Sequence, residues 1–238
     1  MSNFPFQRLQ ADLAGLIART PAGQRLPSEP DLAKQLGVSR ATLRDAMRTF
    51  ETQGLVRRRQ GSGTFVVGKV QALDSGLEVL ESLETMAKRL GLEISLSNLS
   101  VDKVVADEDI ATNLNLAVGA PLLRVRRVIR ADGRPVAYLV DTLPEDVLNL
   151  NDMHEDFRGS VLDMLLERGD SLKTSRANIS AIGATAEVAK VLEIQRGDVL
   201  LHLYSQLFDK SGKVVDYSLS YFIPGYFHFH VVRRVGSV

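Results

Sequence analysis

Apolar residues early in the chain recur at helical spacing. Leu9, Leu13, Leu16 and Ile17 follow Pro5 at intervals that place them on one helix face, and Thr20-Pro21 closes the run. Ser28 is placed to cap a second helix. Asp31 can complete the cap, Pro30 sits in a first turn where its missing N–H costs nothing, Leu32, Ala33 and Leu36 face inward, and Gly37 ends it. Ser39 caps a third, with Leu43, Ala46, Met47 and Phe50 on its core side and Gly54 as terminator. The period then changes. Leu55-Val56 lead into Arg57, Arg58, Arg59 and Gln60, Gly61-Ser62-Gly63 makes a tight turn, and Thr64 to Val67 returns: a hairpin with a glycine-bearing loop.

Residues 69–76 are weakly periodic and read as a linker between a domain over 1–68 and another over 77–238. Leu77, Leu80, Leu83, Ala87 and Leu90 predict a helix ending at Gly91. From residue 92 strands alternate with short helices. Strands are expected over 94–105, 122–130, 136–142, 175–182, 200–209 and 214–223, and helices over 107–116 and 185–192. A further helix is capped by Ser160, turns Leu162, Leu165 and Leu166 inward and ends at Gly169. The passages 114–123 and 192–201 each join a helix end to a glycine turn and a strand, and each is followed by a hairpin, which suggests an internal repeat.

The charge is unevenly placed. Lys+Arg and Asp+Glu both total 29, yet residues 1–70 hold eleven bases and five acids, a surplus of six positive charges that the remainder offsets. A basic small domain joined to an acidic larger one suits a polyanion-binding module with a separate body. The chain has no cysteine, which excludes disulfides, thiolate nucleophiles and cysteine-based zinc sites and fits a reducing cytoplasm. No apolar run approaches the roughly 20 residues of a membrane span, and the first residues lack a signal-peptide core, so a cytoplasmic location without membrane contact is expected.

Three helices and a basic hairpin in this order form a winged helix-turn-helix, which sets its third helix in a DNA major groove and the hairpin loop beside it. Arg40, Thr42, Arg44 and Arg48 stand on the outward side of that helix, and arginine suits bidentate contact with guanine or phosphate. The phrases LPSE, QLGVSRATLRDAMRTFETQGLV and RRQGSGTFV resemble the DNA-binding domain of the GntR family of bacterial repressors. The resemblance implies a homodimer on a palindromic double-stranded operator. It implies base and phosphate contacts from Ser39, Arg40, Thr42 and Arg44 and wing contacts from Gly61, Ser62, Gly63 and Thr64; Ser28, Arg48 and Arg59 are further candidate DNA contacts. Pro30 departs from the arginine that many members carry after the PSE.

The body resembles the UTRA effector domain of the HutC subfamily, with its chorismate-lyase fold, through RVIRADGRPVAY, SVLDMLLERGD, AEVAKVLEIQRGDVLLHL and FDKSGKVVDYSLSYF. The fold class expected is therefore α+β: a winged helix-turn-helix followed by an α/β domain with a mainly antiparallel sheet. The resemblance implies a small-molecule effector of unknown identity, held by Arg127 as partner of a carboxylate or phosphate. Arg158, Gly159 and Ser160 open a helix whose N–H groups suit an anion, and Asp141, Tyr204, Asp216, Ser218 and Tyr221 offer hydrogen bonds. Ile129 and Leu139 stand where the family often has a second arginine and a glutamate, which makes the site more apolar than its relatives'. The alternative is a chorismate-lyase-like enzyme acting on a small acid, with the first domain as a DNA-binding accessory. His228 and His230 share a strand face that His202 can join, yet no HExxH motif or nucleophile elbow is present, so no metal, cofactor or catalytic residue is expected.

Overall fold

Side-chain oxygens set where the helices begin. The computed structural model describes residues 4–21, 23–52, 54–59, 62–67, 73–153, 157 and 159–233, and opens with α1 (Phe4–Arg19), α2 (Glu29–Leu36) and α3 (Arg40–Thr52). The Ser28 hydroxyl accepts the Asp31 N–H at 3.4 Å and the Ser39 hydroxyl accepts the Thr42 N–H at 3.1 Å, so both expected caps are present. Leu9, Leu13 and Ile17 of α1 are buried in one cluster with Leu32, Ala33, Leu43, Ala46, Met47 and Phe50. The wing forms as β1 (Val56–Arg59) antiparallel to β2 (Gly63–Val66). Residues 23–26 carry no strand signal in the sequence, yet they line the other edge of β2. The Gly23 and Leu26 N–H groups donate to the Val66 and Thr64 carbonyls, each at 2.8 Å, and the Val66 N–H donates to the Gln24 carbonyl at 2.9 Å.

One compact unit ends at residue 72 and takes in 224–228; the other comprises 73–223 and the chain after 228. The second unit begins with β3 (Leu73–Gly76), within the segment expected as linker, and α4 (Leu83–Arg89). The helix expected from Leu77 starts only at Leu83, because the Ser82 hydroxyl accepts the Thr85 N–H at 2.9 Å and caps it there. Leu80 is accordingly half exposed. There follow β4 (Ile94–Val105), α5 (Glu108–Leu114), β5 (Pro121–Ala131), β6 (Arg134–Pro144), α6 (Val161–Arg168), β7 (Leu172–Gly183), α7 (Ala186–Val191), β8 (Val199–Asp209), β9 (Val214–Phe222) and β10 (Phe227–His230).

Six of these strands make one antiparallel sheet in the order β4-β5-β6-β9-β8-β7, and β3 pairs with β10. The repeat read from the sequence is the sheet's two halves, strand–helix–strand–strand each, joined at β6 and β9. The halves share their turn chemistry. Asn115 and Glu193 end the two helices at positive φ (55° and 57°). The Gly119 N–H donates to the Ala106 carbonyl, and the Gly197 N–H to the Ala184 carbonyl, each at 2.8 Å.

Cross-strand partners lie on the same face of a sheet. Arg127 pairs with Leu139, Leu139 with Ser220 and Ser220 with Leu203, so these share one face. On it α6 buries Val161 and Leu165 against Leu123, Val125 and Leu143. On the opposite face α5 buries Ile110, Ala111 and Leu114 against Leu122. Leu166, expected inward, is 52% exposed, because it follows Leu165 by one residue and turns off the apolar stripe. No helix among the described residues is long and apolar enough to cross a membrane.

Leu165→Ala is expected to destabilise the second unit by about 2–5 kcal/mol, because Leu165 has no solvent exposure. Leu166→Ala should change stability by no more than about 0.5 kcal/mol. Chemical denaturation of the two variants checks the ordering.

Candidate functional site

The outward side of α3 is polar because its inward side is committed to the core. Leu43 and Ala46 have no exposure, while Arg40 and Arg44 are exposed. Ser39 and Thr42 are tied to each other through their hydroxyls at 2.8 Å, which holds the first turn of the helix. Arg44 is not loose. Its Nε donates to Glu29 Oε2 at 2.8 Å, and Arg58 of the wing strand reaches Glu29 Oε1 at 2.8 Å. One carboxylate at the start of α2 thus positions a cation of α3 and one of β1. Glu29 was not singled out in the sequence, where it is one acid in the PSE phrase.

Ser28 spends its hydroxyl on its own helix, donating to Asp31 Oδ2 at 2.5 Å. Arg48 is half-buried and Ser62 is exposed at the hairpin turn. Gly63 has a φ of 107°, and a Cβ there would stand 2.4 Å from Arg25 Nε, so the glycine lets Arg25 lie over the wing backbone. Thr64 is half-buried and its carbonyl holds Leu26. Gly61 lies outside the described residues, as does the side chain of Arg59.

The second candidate site is built on the sheet face that carries Arg127. Register puts Asp141 and Ser218 opposite each other on that face, with Asp216 two residues from Ser218. Arg127 is 5% exposed. Its Nη1 donates to Asp141 Oδ2, and its Nε lies 3.6 Å from Glu84 Oε1, beyond hydrogen-bond reach. Asp216 Oδ1 accepts the Thr142 N–H at 3.2 Å. Ser160 caps α6 by accepting the Asp163 N–H at 3.1 Å. Asp163 in turn accepts the Ser82 hydroxyl at 2.6 Å, which joins the starts of α4 and α6. Gly159 has a φ of 92°, and a Cβ there would stand 2.7 Å from Leu96 Cδ2 and 3.3 Å from Arg127 Cδ, so only glycine lets the approach to α6 lie along the arginine stem.

Burial and neighbouring charge set the protonation states. Burial raises the Glu84 pKa, and Arg127 opposes this only in part. Burial, and then the charge of Asp141, lifts Asp216 well above the usual carboxyl range against the Thr142 N–H and Arg127. Burial works to lower the Arg127 pKa, but Asp141 and Glu84 outweigh it and hold the guanidinium above its ordinary value. The three carboxyls therefore surround a fixed positive charge.

The structure brings Arg127, Asp141, Gly159, Ser160, Asp216 and Ser218 to one face of the sheet. It does not bring Tyr204 and Tyr221 there. Tyr221 pairs with Tyr138 and His202, and Tyr204 with Leu219, so both tyrosines point to the opposite face. The cause is the strand period of two, which separates residues that look adjacent in sequence. On that face Tyr221 stacks on Tyr138 at 5.8 Å and meets the His202 ring at 4.8 Å. Burial lowers the His202 pKa. Arg158 lies outside the described residues. Glu84, Asp163 and Ser82 were missed: they come from α4 and α6, and only the placement of those helices on the sheet reveals them. The one signal in the sequence was Ser82 with Thr85 three residues on, a helix start inside the leucine stripe. Among the described residues no group of three His, Cys, Asp or Glu is arranged to hold a metal ion.

Comparison with known proteins bears on the family of each part of the chain. A profile described as bacterial regulatory proteins, gntR family, matches residues 6–66, and one described as UTRA domain matches residues 89–228. An HTH-type transcriptional regulator of Rhizobium meliloti (strain 1021) is 30% identical over 203 residues, covering 83% of this chain and 81% of that one. The HTH-type transcriptional repressor NagR of Bacillus subtilis (strain 168) is 29% identical over 198 residues, covering 82% and 79%. The crystal structure of PhnF from Mycobacterium smegmatis superposes with a TM-score of 0.65 at 25% identity, covering 96% of this chain and all of that one.

The raised Asp216 pKa has a sign that can be tested. The unfolded chain releases this proton near pH 4, whereas the folded chain holds it to higher pH. Asp216 therefore costs stability increasingly as pH rises through that window, and the contribution is fully favourable only below it. Asp216→Asn keeps an oxygen for the Thr142 N–H and removes the titration. Its stability relative to wild type should rise as the pH is raised above the ordinary carboxyl range, measured by urea midpoints.

Proposed function

The chain belongs to the gntR family of bacterial regulatory proteins and carries a UTRA domain, and on that footing we propose that it is a repressor whose hold on its operator is set by a small molecule bound at the Arg127 cluster. It is a DNA-binding transcription regulator and not an enzyme: its relatives are regulators, and a lyase-like fold does not by itself carry lyase chemistry. Regulators of this family bind DNA operators and small-molecule effectors.

The observation that carries the proposal is the division of α3. One side is sealed in the core, and the other presents Ser39, Arg40, Thr42 and Arg44 with Arg44 already held in place. Such a helix can enter a major groove without reorganising, so little ordering entropy is lost on binding. Arg58 and the wing turn, with Ser62, Gly63 and Thr64, are suited to the flanking backbone, and Arg48 of α3 adds a further half-buried base. Two such units in a homodimer would read the two halves of a palindrome. The name repressor follows the NagR relative. The effector acts by binding one arrangement of the dimer better than the other. Arg127, Asp141, Gly159, Ser160, Asp216 and Ser218 are its proposed contacts, and the geometry supports Tyr204 and Tyr221 less because they stand on the far face.

In a gel-shift titration with the DNA upstream of its own operon, the wild type should retard the fragment. Arg40→Ala and Arg44→Ala should each weaken binding by about 1–3 kcal/mol if they contact bases. A lost phosphate contact would instead flatten the salt dependence by about one ion. No retardation by the wild type at low salt would refute the regulator reading.

A further inference from the structure

The balance of charge at the Arg127 cluster decides what can enter it. Nη1 of the guanidinium is bound to Asp141, and Nε faces Glu84 at 3.6 Å without a hydrogen bond. Arg127 is itself more than nine-tenths buried, with that Nε unpartnered. Its charge is matched before any ligand arrives. Both Glu84 oxygens are shielded from solvent, and among the described residues no neighbouring side chain donates a hydrogen bond to them. The nearby Asp163 is engaged by Ser82 and Thr85 and adds to the negative field at Glu84. Ile129 and Leu139, buried on the same face, bring no second cation.

An incoming phosphate or carboxylate would have to displace Asp141 from the arginine and then sit beside Glu84, like charge against like charge. A donor group meets the opposite situation: two acceptor oxygens with nothing to accept, in a setting where charge-assisted bonds are strong. Resting on the reading of this cluster as the ligand site, we infer that the effector presents an ammonium group to Glu84 and Asp141. Arg127 then fixes the two carboxylates in place and is not the receptor of an anion.

The test uses the full chain and two simple probes, methylammonium chloride and sodium phosphate, at constant ionic strength and neutral pH, with the melting temperature as readout. Methylammonium should raise it saturably, and Glu84→Gln should weaken that response about tenfold or more, the value of one hydrogen bond to a charged group. Phosphate should give no saturable rise. A saturable phosphate response in the wild type, no response to methylammonium, or an unchanged response in Glu84→Gln would each overturn the inference, and the wild-type arms decide it even where the variant folds poorly. A phosphate response that disappears in Arg127→Lys would keep the cluster as the ligand site and overturn only the ligand class. A preparation that answers neither probe yet shows Arg40-dependent retardation of DNA would overturn this inference and leave the regulator standing.

Discussion

The pairing of β6 with β9 is the contact on which the larger unit depends. Ala137 to Thr142 align with Phe222 to Tyr217, and this seam fuses two similar halves into one six-stranded sheet. Apart, each half would be a three-stranded layer with an open edge in the middle of the apolar core. Because side chains alternate with a period of two, the seam sets the facing of both halves at once, and a slip of one residue would invert them. It also brings acids from separate hairpins together. Asp141 comes to lie opposite Ser218, and Asp216 bonds the Thr142 N–H across the junction.

That convergence explains why a charged cluster survives inside an apolar layer. Burying ions is costly, and the attraction between them offsets the cost only where geometry is good. Arg127 meets this condition by facing Asp141 directly and Glu84 at short range. Asp216 escapes the cost differently, since burial and the neighbouring Asp141 charge favour its protonated form. Gly159 packs along the arginine stem on one side of the cluster, and on the other no neighbouring side chain among the described residues donates to Glu84.

The reading unit uses charge in another way. The Arg44–Glu29–Arg58 triad is partly exposed, and such pairs add little to stability. Its effect is positional. Glu29 holds two cations in one orientation at the surface. Arg25 lying over Gly63 has the same character, a cation stationed on a backbone that a side chain would otherwise occupy.

The chain alone determined the winged helix-turn-helix, the caps at Ser28, Ser39 and Ser160, the repeat, and the separation of a basic reader from an acidic body. These are local properties, set by spacing, capping chemistry and turn residues within a few positions of one another. It also pointed to Arg127 and Asp141, through their place in hairpin phrases. Tertiary structure decided the rest. Leu77 and Leu80 fit a helical stripe, but the Ser82 cap starts α4 later, and periodicity cannot weigh a cap against a leucine. Tyr204 and Tyr221 were candidate effector contacts together with Arg127, and strand register sets them on the opposite face of the sheet from it. Glu84 and Glu29 were invisible because their partners lie on other elements, and a charge has no meaning for a site until folding sets its distance to the opposite one.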